Sequence, residues 1–281
     1  QAVTLSVTDL DEVAPAFSSG ANASAAENQN LLYTAVASDN VEYTDQVVSY
    51  GLKAGGDAGL LAIDPSTGQV SLASGNLDYE TKASYSFTVI ASDASGNQTE
   101  QAVSVSVANL NDEAPVTTPV TLSPIAEDSG ARLITQAELL ANASDADGPS
   151  LTATGLTIAS GNGSLADNHD GTWTYTPATN DDTQVAFNYT VTDGSLTAAG
   201  TASLDITPVN DAPVTSPVTL TAIAEDSGPR LITQAELLAN ASDADGPSLT
   251  ATGLTIASGN GSLVDNGNGT WTYTPAGNDD T

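Results

Sequence analysis

The segment Asn109-Leu110-Asn111-Asp112-Glu113-Ala114-Pro115 follows an alternating stretch, Ala102-Val103-Ser104-Val105-Ser106-Val107. Proline has a fixed φ and no N–H to give to a ladder, so Ala-Pro ends the pairing of the preceding strand. The arrangement occurs three times. Asp9-Leu10-Asp11-Glu12-Val13-Ala14-Pro15 follows Val3-Thr4-Leu5-Ser6-Val7, and Pro208-Val209-Asn210-Asp211-Ala212-Pro213 follows Ala202-Ser203-Leu204-Asp205-Ile206. A strand, an acidic joint and a fresh start recur about every hundred residues. That restricts the chain to a series of small domains joined end to end.

The charge balance narrows the partners. There are 35 acidic residues against four basic ones, Lys53, Lys82, Arg132 and Arg230, for a net charge of −31. Nucleic acid and anionic membrane surfaces both recruit Lys and Arg, so neither is an expected partner. Multivalent cations are. Cysteine is absent, which removes disulfides and thiol chemistry. No apolar run is long enough to span a membrane. Apolar residues make up 40% and alternate with Ser and Thr, unlike a disordered acidic tail. Gln1 opens in the middle of a strand, so the chain reads as a window of a longer protein.

The expected organisation is all-β. Residues 1–12 read as the last strand of a preceding domain and its junction. Residues 13–112 form a first complete domain. Residues 113–211 form a repeat, and 212–281 a second, truncated copy of it. Residues 115–183 and 213–281 differ at only eight of 69 positions: 118, 123, 124, 131, 166, 169, 170 and 179. Strands are expected at 31–36, 47–52, 85–90, 187–191 and 201–206 from their β-branched and aromatic content. Asp64-Pro65-Ser66-Thr67-Gly68 and Asp167-Asn168-His169-Asp170-Gly171 read as hairpin turns. Thr135 and Glu138 fit a capping box, which predicts about two helical turns at 135–140 and again at 233–238.

Acidic residues gather around the joints. Beside the joint residues Asp9, Asp11, Glu12, Asn109, Asn111, Asp112, Asn210 and Asp211 stand Glu27, Asp39, Asp78, Glu80 and Asp93 in the first domain. Glu127, Asp128, Asp145, Asp147, Asp182 and Asp193 stand in the second, and Glu225, Asp226, Asp243 and Asp245 in the third. Carboxylates packed together without compensation repel, and Ca²⁺ takes six to eight oxygens of this kind. Asp145-Ala146-Asp147-Gly148 and Asp243-Ala244-Asp245-Gly246 set two carboxylates on one side of a turning backbone.

These residues resemble the cadherin-like repeats, including those of large bacterial RTX-type surface adhesins. Ala26-Glu27-Asn28 is similar to the family's Pro-Glu motif, and Leu77-Asp78-Tyr79-Glu80 to Leu-Asp-Arg-Glu. Asp93 matches the late Asp, and Asn109 to Pro115 the junction. Asp39 matches the start of Asp-X-Asp, with Val41 in the second place. Glu127-Asp128 and Glu225-Asp226 stand in for Pro-Glu in the repeats, which lack Asp-Arg-Glu. The resemblance implies tandem Ig-like or cadherin-like β-sandwiches in a linear rod, with Ca²⁺ bound between consecutive domains.

Other residues carry blander readings. His169, the only histidine, reads as a turn residue, and Trp173 and Trp271 as hairpin-face or core residues. No Cys or catalytic His exists from which a nucleophilic triad could be built, so no enzyme is expected. The expected function is a calcium-stiffened extender of a large bacterial cell-surface or secreted adhesin, serving cell adhesion and biofilm. Its partners are neighbouring domains of the same chain, with host or surface ligands met through regions outside this window. Two alternatives stand beside it: a module that binds a carbohydrate, a peptide or another copy of itself, and an accessory region of an extracellular enzyme.

Overall fold

The alternating stretches become strands because one side of each lies against a core and the other against water. The computed structural model describes residues 3–5, 11–39, 47–246 and 248–277. Among these, helix is confined to Gln136–Leu139, Gln234–Leu237 and the 3-10 turn Ala58–Leu60; everything else regular is β. By compactness the chain divides into two units. One is Gln1–Val116 with Ala143–Leu151 and Thr192–Ala198, and the other is Thr117–Asn142, Thr152–Val191 and Ala199–Thr281.

In the first unit a four-stranded sheet runs in the order Asn22–Ala26, Gln98–Ala108, Ser84–Ser92, Ser49–Lys53. Its first pair is parallel and the others antiparallel. A three-stranded antiparallel sheet, Leu31–Thr34, Gln69–Leu72, Leu61–Ile63, supplies the opposing layer. Val103, Val105 and Val107 alternate with exposed partners along one strand. With Phe87 and Val89 they pack in one cluster with Leu32, Tyr33, Val70 and Leu77. The rings of Tyr33 and Phe87 meet edge to face at 6.0 Å. Each such side chain contributes about 1.5–3 kcal/mol by leaving water.

The second unit repeats the plan. Val120–Ala126, Thr197–Thr207, Val185–Thr192 and Thr152–Ser160 form the four-stranded sheet, again with a parallel first pair. The register slips between Leu122 and Ile125, where Pro124 has no N–H to give to the ladder. Arg132–Thr135, Thr172–Thr176 and Ser164–Asp167 form the second sheet. Trp173 and Tyr175 are buried in it, as a hairpin-face reading requires. Both capping boxes form: Thr135 accepts from the Glu138 N–H while Glu138 accepts from the Thr135 N–H. The helix is nevertheless one turn, not two, because Leu140 already leaves helical dihedral space at φ −94°, ψ 5°.

Both expected hairpin turns form. Asp64 accepts from the N–H groups of Ser66 and Thr67, and His169 sits in a turn at φ 61°. The strand expected at 3–7 is described only at Val3–Leu5, which is not in a strand; 6–10 lie outside the described residues. The second copy reproduces the three-stranded sheet as Arg230–Thr233, Thr270–Thr274 and Ser262–Asp265. Its residues 218–224 and 250–257 form no strand.

Candidate metal centres at the domain junctions

Glu27 follows the strand Asn22–Ala26, at the level where its parallel partner Gln98–Ala108 runs out into the joint. Its backbone N–H reaches the Ala108 carbonyl at 3.4 Å. The side chain is 4% exposed and ties down two loops. One oxygen accepts from the Leu110 N–H at 2.5 Å and the other from the Tyr79 N–H at 2.7 Å. These bonds bring the joint and the Leu77-Asp78-Tyr79-Glu80 loop together.

Around Glu27 the first unit assembles a carboxylate cluster. Glu27, Glu80, Asp112 and Asp147 each offer an oxygen within 4.8 Å of the others. Asp147 comes from the loop 143–151, which the sequence assigns to the following repeat but which belongs to this compact unit. It is held by its own contacts: the N–H groups of Asp112 and Glu113 donate to its Oδ2 at 3.0 and 2.8 Å. Asn109 donates to its carbonyl at 3.1 Å, and its N–H donates to Asp145 at 3.0 Å. Asp193 accepts from the N–H groups of Ser195 and Leu196. Burial raises the Asp193 pKa, but these bonds and the nearby Asn111 hold the carboxyl below its ordinary value. Asn28 donates to Asp112.

A second group, Asp11, Asp39 and Asp93, meets the same 4.8 Å limit. Asn97 binds it together, donating to Asp93 at 2.8 Å and to the Asp11 carbonyl at 3.0 Å. The sequence reading passed over Asn97. The signal was the turn Asp93-Ala94-Ser95-Gly96-Asn97, in which Gly96 takes φ 92° and lets Asn97 fold back. Burial raises the Asp93 pKa, but the Asn97 bonds outweigh it and hold the carboxyl below its ordinary value.

The second joint uses the same devices more sparsely. Glu127, also 4% exposed, accepts from the Val209 N–H at 2.7 Å. Asp245 accepts from the Asp211 N–H at 2.6 Å, and its own N–H donates to Asp243 at 3.0 Å. Asn210 donates to the Asp211 carbonyl at 2.9 Å. Among the described residues, no three of its carboxylates come as close as those of the first joint. Burial, then the charges of Asp128, Asp245 and Asp243, raise the Asp211 pKa.

Not every expected residue joins a group. Asp78 spends both oxygens on Thr81. Glu12 is exposed and outside the groups, and Glu225 and Asp226 lie exposed in a turn. Asp9 lies outside the described residues.

The donor set suits a hard divalent cation. Asp145 Oδ2, Asp147 Oδ1, Asp193 Oδ2 and Asp211 Oδ2 are buried and receive no hydrogen bond from the protein. A buried carboxylate oxygen in that condition is costly. None of the four basic residues compensates for it. They pair elsewhere: Lys53 with Glu100, Lys82 with Asp57, Arg132 with Glu138 and Arg230 with Glu236. Burial and the neighbouring Asp147 and Glu27 raise the Glu80 pKa, as expected of an uncompensated acidic group. Among the described residues no helix is long and apolar enough to cross a membrane.

Fold and sites together define a chain of tandem β-sandwiches with carboxylate-lined joints. Residues 21–108 match the cadherin domain family, and residues 110–207 and 209–281 match the cadherin-like domain family, so the chain belongs to the cadherin-like proteins. Human protocadherin Fat 1 is 27% identical over 249 residues, which are 81% of this chain and 5% of that protein. The chain therefore spans a small fraction of that relative. A mouse cadherin-23 structure, EC22-24, has a TM-score of 0.51 and 24% identity, covering 72% of this chain and 67% of that one. The protocadherin GammaB4 extracellular domain has a TM-score of 0.55 and 20% identity, covering 85% of this chain and 39% of that one.

Proposed function

We propose that this chain is a calcium-stiffened extender of a large extracellular adhesin, of the bacterial surface type, and that it performs no catalysis. The observation that carries the reading is the set of buried carboxylate oxygens without hydrogen bonds, in a protein whose basic side chains all pair elsewhere. Bacterial placement draws support from the two near-identical copies, which add length without adding a new site. It also draws on the lack of cysteine in a chain so acidic. The curated relatives it matches are animal protocadherins, so the flanking sequence is the test of that placement.

The residues do the mechanical work in a definite order. Glu27 clamps the exit of the first domain to the Tyr79 loop. Asp147, from the next repeat, is fixed to the joint by Asp112 and Glu113. The oxygens of Glu27, Glu80, Asp112 and Asp147 then face one another within 4.8 Å. Each like-charge contact of that kind costs about 1 kcal/mol in water and more where solvent is limited. A bound Ca²⁺ supplies the charge that cancels this repulsion, and it draws its ligands from oxygens of this type. Because the oxygens come from successive repeats, bending the joint separates them.

Calorimetry with and without Asp145→Ala plus Asp147→Ala tests the sites: unchanged stoichiometry would falsify the assignment. Small-angle scattering tests the stiffening. Chelator at matched ionic strength is expected to broaden the distance distribution and lower Tm, and superimposable curves would remove the stiffening.

A further inference from the structure

Glycine has no Cβ to shield its backbone nitrogen, so an asparagine that precedes one is the side chain most open to attack by its own backbone. Four Asn-Gly pairs occur: Asn162-Gly163, Asn260-Gly261, Asn266-Gly267 and Asn268-Gly269. The last two lie in the hairpin turn of the second copy, where the first copy reads Asn168-His169-Asp170-Gly171. Two of the eight differences between the copies create them: Gly267 stands for His169, and Asn268 for Asp170.

The fold restrains three of the four. The Asn162 amide donates to Asp181, and the Tyr175 hydroxyl donates to the Asn162 carbonyl at 2.6 Å. The Tyr273 hydroxyl does the same to the Asn260 carbonyl at 2.7 Å. Gly163 and Gly261 are packed so tightly that a Cβ would stand 2.6 and 2.7 Å from the carbonyls of Thr176 and Thr274, so neither peptide can swing into a ring. Asn266 is held by its whole amide. The nitrogen donates to the hydroxyls of Thr270 and Thr272 at 2.9 and 3.1 Å, and the oxygen accepts from Thr272 at 3.2 Å. The Gly267 N–H, which would have to attack, donates instead to Asp265 at 2.9 Å. Asn268 differs. It is exposed, and among the described residues neither its amide nitrogen nor the Gly269 N–H has a partner. Its side-chain oxygen accepts from the Thr270 N–H at 3.2 Å and from the Thr270 hydroxyl at 2.7 Å.

We propose that Asn268 is a self-modifying site, which converts to aspartate through a succinimide formed with Gly269. Hydroxide takes the Gly269 amide proton, and the nitrogen bonds to the Asn268 side-chain carbon. The negative charge that appears on Oδ1 meets the two Thr270 donors already aimed at it. As the carbonyl re-forms, the bond to the amide nitrogen breaks, and ammonia leaves with a proton from water. Water then adds to the ring and opens it, giving aspartate or isoaspartate. The sum is one water consumed and one ammonia released, with no oxidant or cofactor. The twin shows how an aspartate sits in this turn. Asp170 accepts from the Thr172 hydroxyl at 2.6 Å and the Thr172 N–H at 3.0 Å, bonds that hold its carboxyl below the ordinary value. The modification therefore gives the second turn the charge of the first. No junction carboxylate takes part, so the site stands apart from the calcium reading.

Peptide mapping by mass spectrometry of the intact chain, kept folded at mildly alkaline pH, tests it. Asn268 should convert about tenfold or more faster than Asn162, Asn260 or Asn266, the size expected from one or two restraining bonds. In urea the four rates should converge, because the restraint belongs to the fold. Thr270→Val removes one donor to Oδ1 and should slow Asn268 by about tenfold or more. The same change frees the Asn266 amide from one bond and should speed that residue. Conversion of any of the other three as fast as Asn268 in the folded chain, or a ranking that survives in urea, overturns the proposal. A Thr270→Val chain with unchanged circular dichroism and an unchanged rate at Asn268 overturns the part given to Thr270.

Discussion

The two joints are built on one plan and differ in density. The first has a Glu-bearing loop, Leu77-Asp78-Tyr79-Glu80, and Glu27 grips two backbone N–H groups. The second has no such loop, and Glu127 grips one, that of Val209. Four carboxylates converge within 4.8 Å at the first, and among the described residues no three do so at the second. The Glu at the end of the first strand and the Asp-X-Asp turn are thus the common frame. Extra oxygens are added by the loop that only the cadherin-type domain has. A joint can be graded by the number of carboxylates it gathers without changing the sandwiches on either side.

The largest effect should come from removing the shared turn. Asp145→Ala with Asp147→Ala should abolish ion binding at the first joint. At a hundredfold excess of Ca²⁺ over the dissociation constant, about 2.7 kcal/mol per lost site should disappear from the unfolding free energy. The same change at Asp243 and Asp245 should cost less, because fewer oxygens converge there. Equal losses at the two joints, by calorimetry and calcium-dependent melting, would erase the difference drawn above.

Next in size is the clamp itself, measured in chelator so that no ion contributes. Glu27→Ala loses two hydrogen bonds to a charged acceptor and Glu127→Ala one, each worth about 1.5–3 kcal/mol. Urea unfolding should show the first variant losing roughly twice what the second loses. A larger loss from Glu127→Ala would break the correspondence between the two glutamates.

The smallest effect is in pH. Glu80 has a raised pKa, from burial and then from Asp147 and Glu27. An acid raised in the folded state burdens it above the folded pKa, where it must be charged beside other acids. The burden is gone below the ordinary value of 4.5. In chelator, lowering the pH through that window should therefore relieve the first joint. With Ca²⁺ present, the proton competes for the same oxygen, and affinity should begin to fall at a higher pH than for ordinary carboxylates. Glu80→Gln should flatten that part of the profile. An unchanged profile would mean that Glu80 is not a ligand.

Local signals were readable in the chain, and distant pairings were not. Alternation marked Ala102–Val107 as a strand, and Asp64 to Gly68 as a turn, because both depend on neighbours within a few residues. The capping box at Thr135 was legible for the same reason. Its length was not, since the chain beyond Leu140 is drawn off by tertiary contacts. The parallel pairing of Asn22–Ala26 with Gln98–Ala108 joins segments some eighty residues apart, and no local pattern encodes it. The copies make the point directly. Thr152–Ser160 is a strand paired with Val185–Thr192, while 250–257, of identical sequence, forms none among the described residues. At the sites, the Asp-X-Asp turns, Glu27 and Glu80 could be named from spacing. Asn97 could not, because an amide that braces a carboxylate looks like any turn asparagine. Asp78 fits the same motif, and the Thr81 N–H and hydroxyl that donate to its two oxygens are visible only in the structure.

The parallel first-and-last pair has a consequence for how the chain bears tension. In the first two sandwiches the chain passes a two-residue strand, Ala16–Phe17 or Val116–Thr117, then enters Asn22–Ala26 or Val120–Ala126, and it leaves along the neighbour of that strand, which runs in the same direction. Pulling on the two ends slides these strands past each other. The ladder from Asn22↔Ser104 to Ala26↔Ala108 is then loaded all at once, instead of opening one bond at a time from an end. Shear of this kind needs several bonds to fail together, so forced unfolding should be slow even where equilibrium stability is modest.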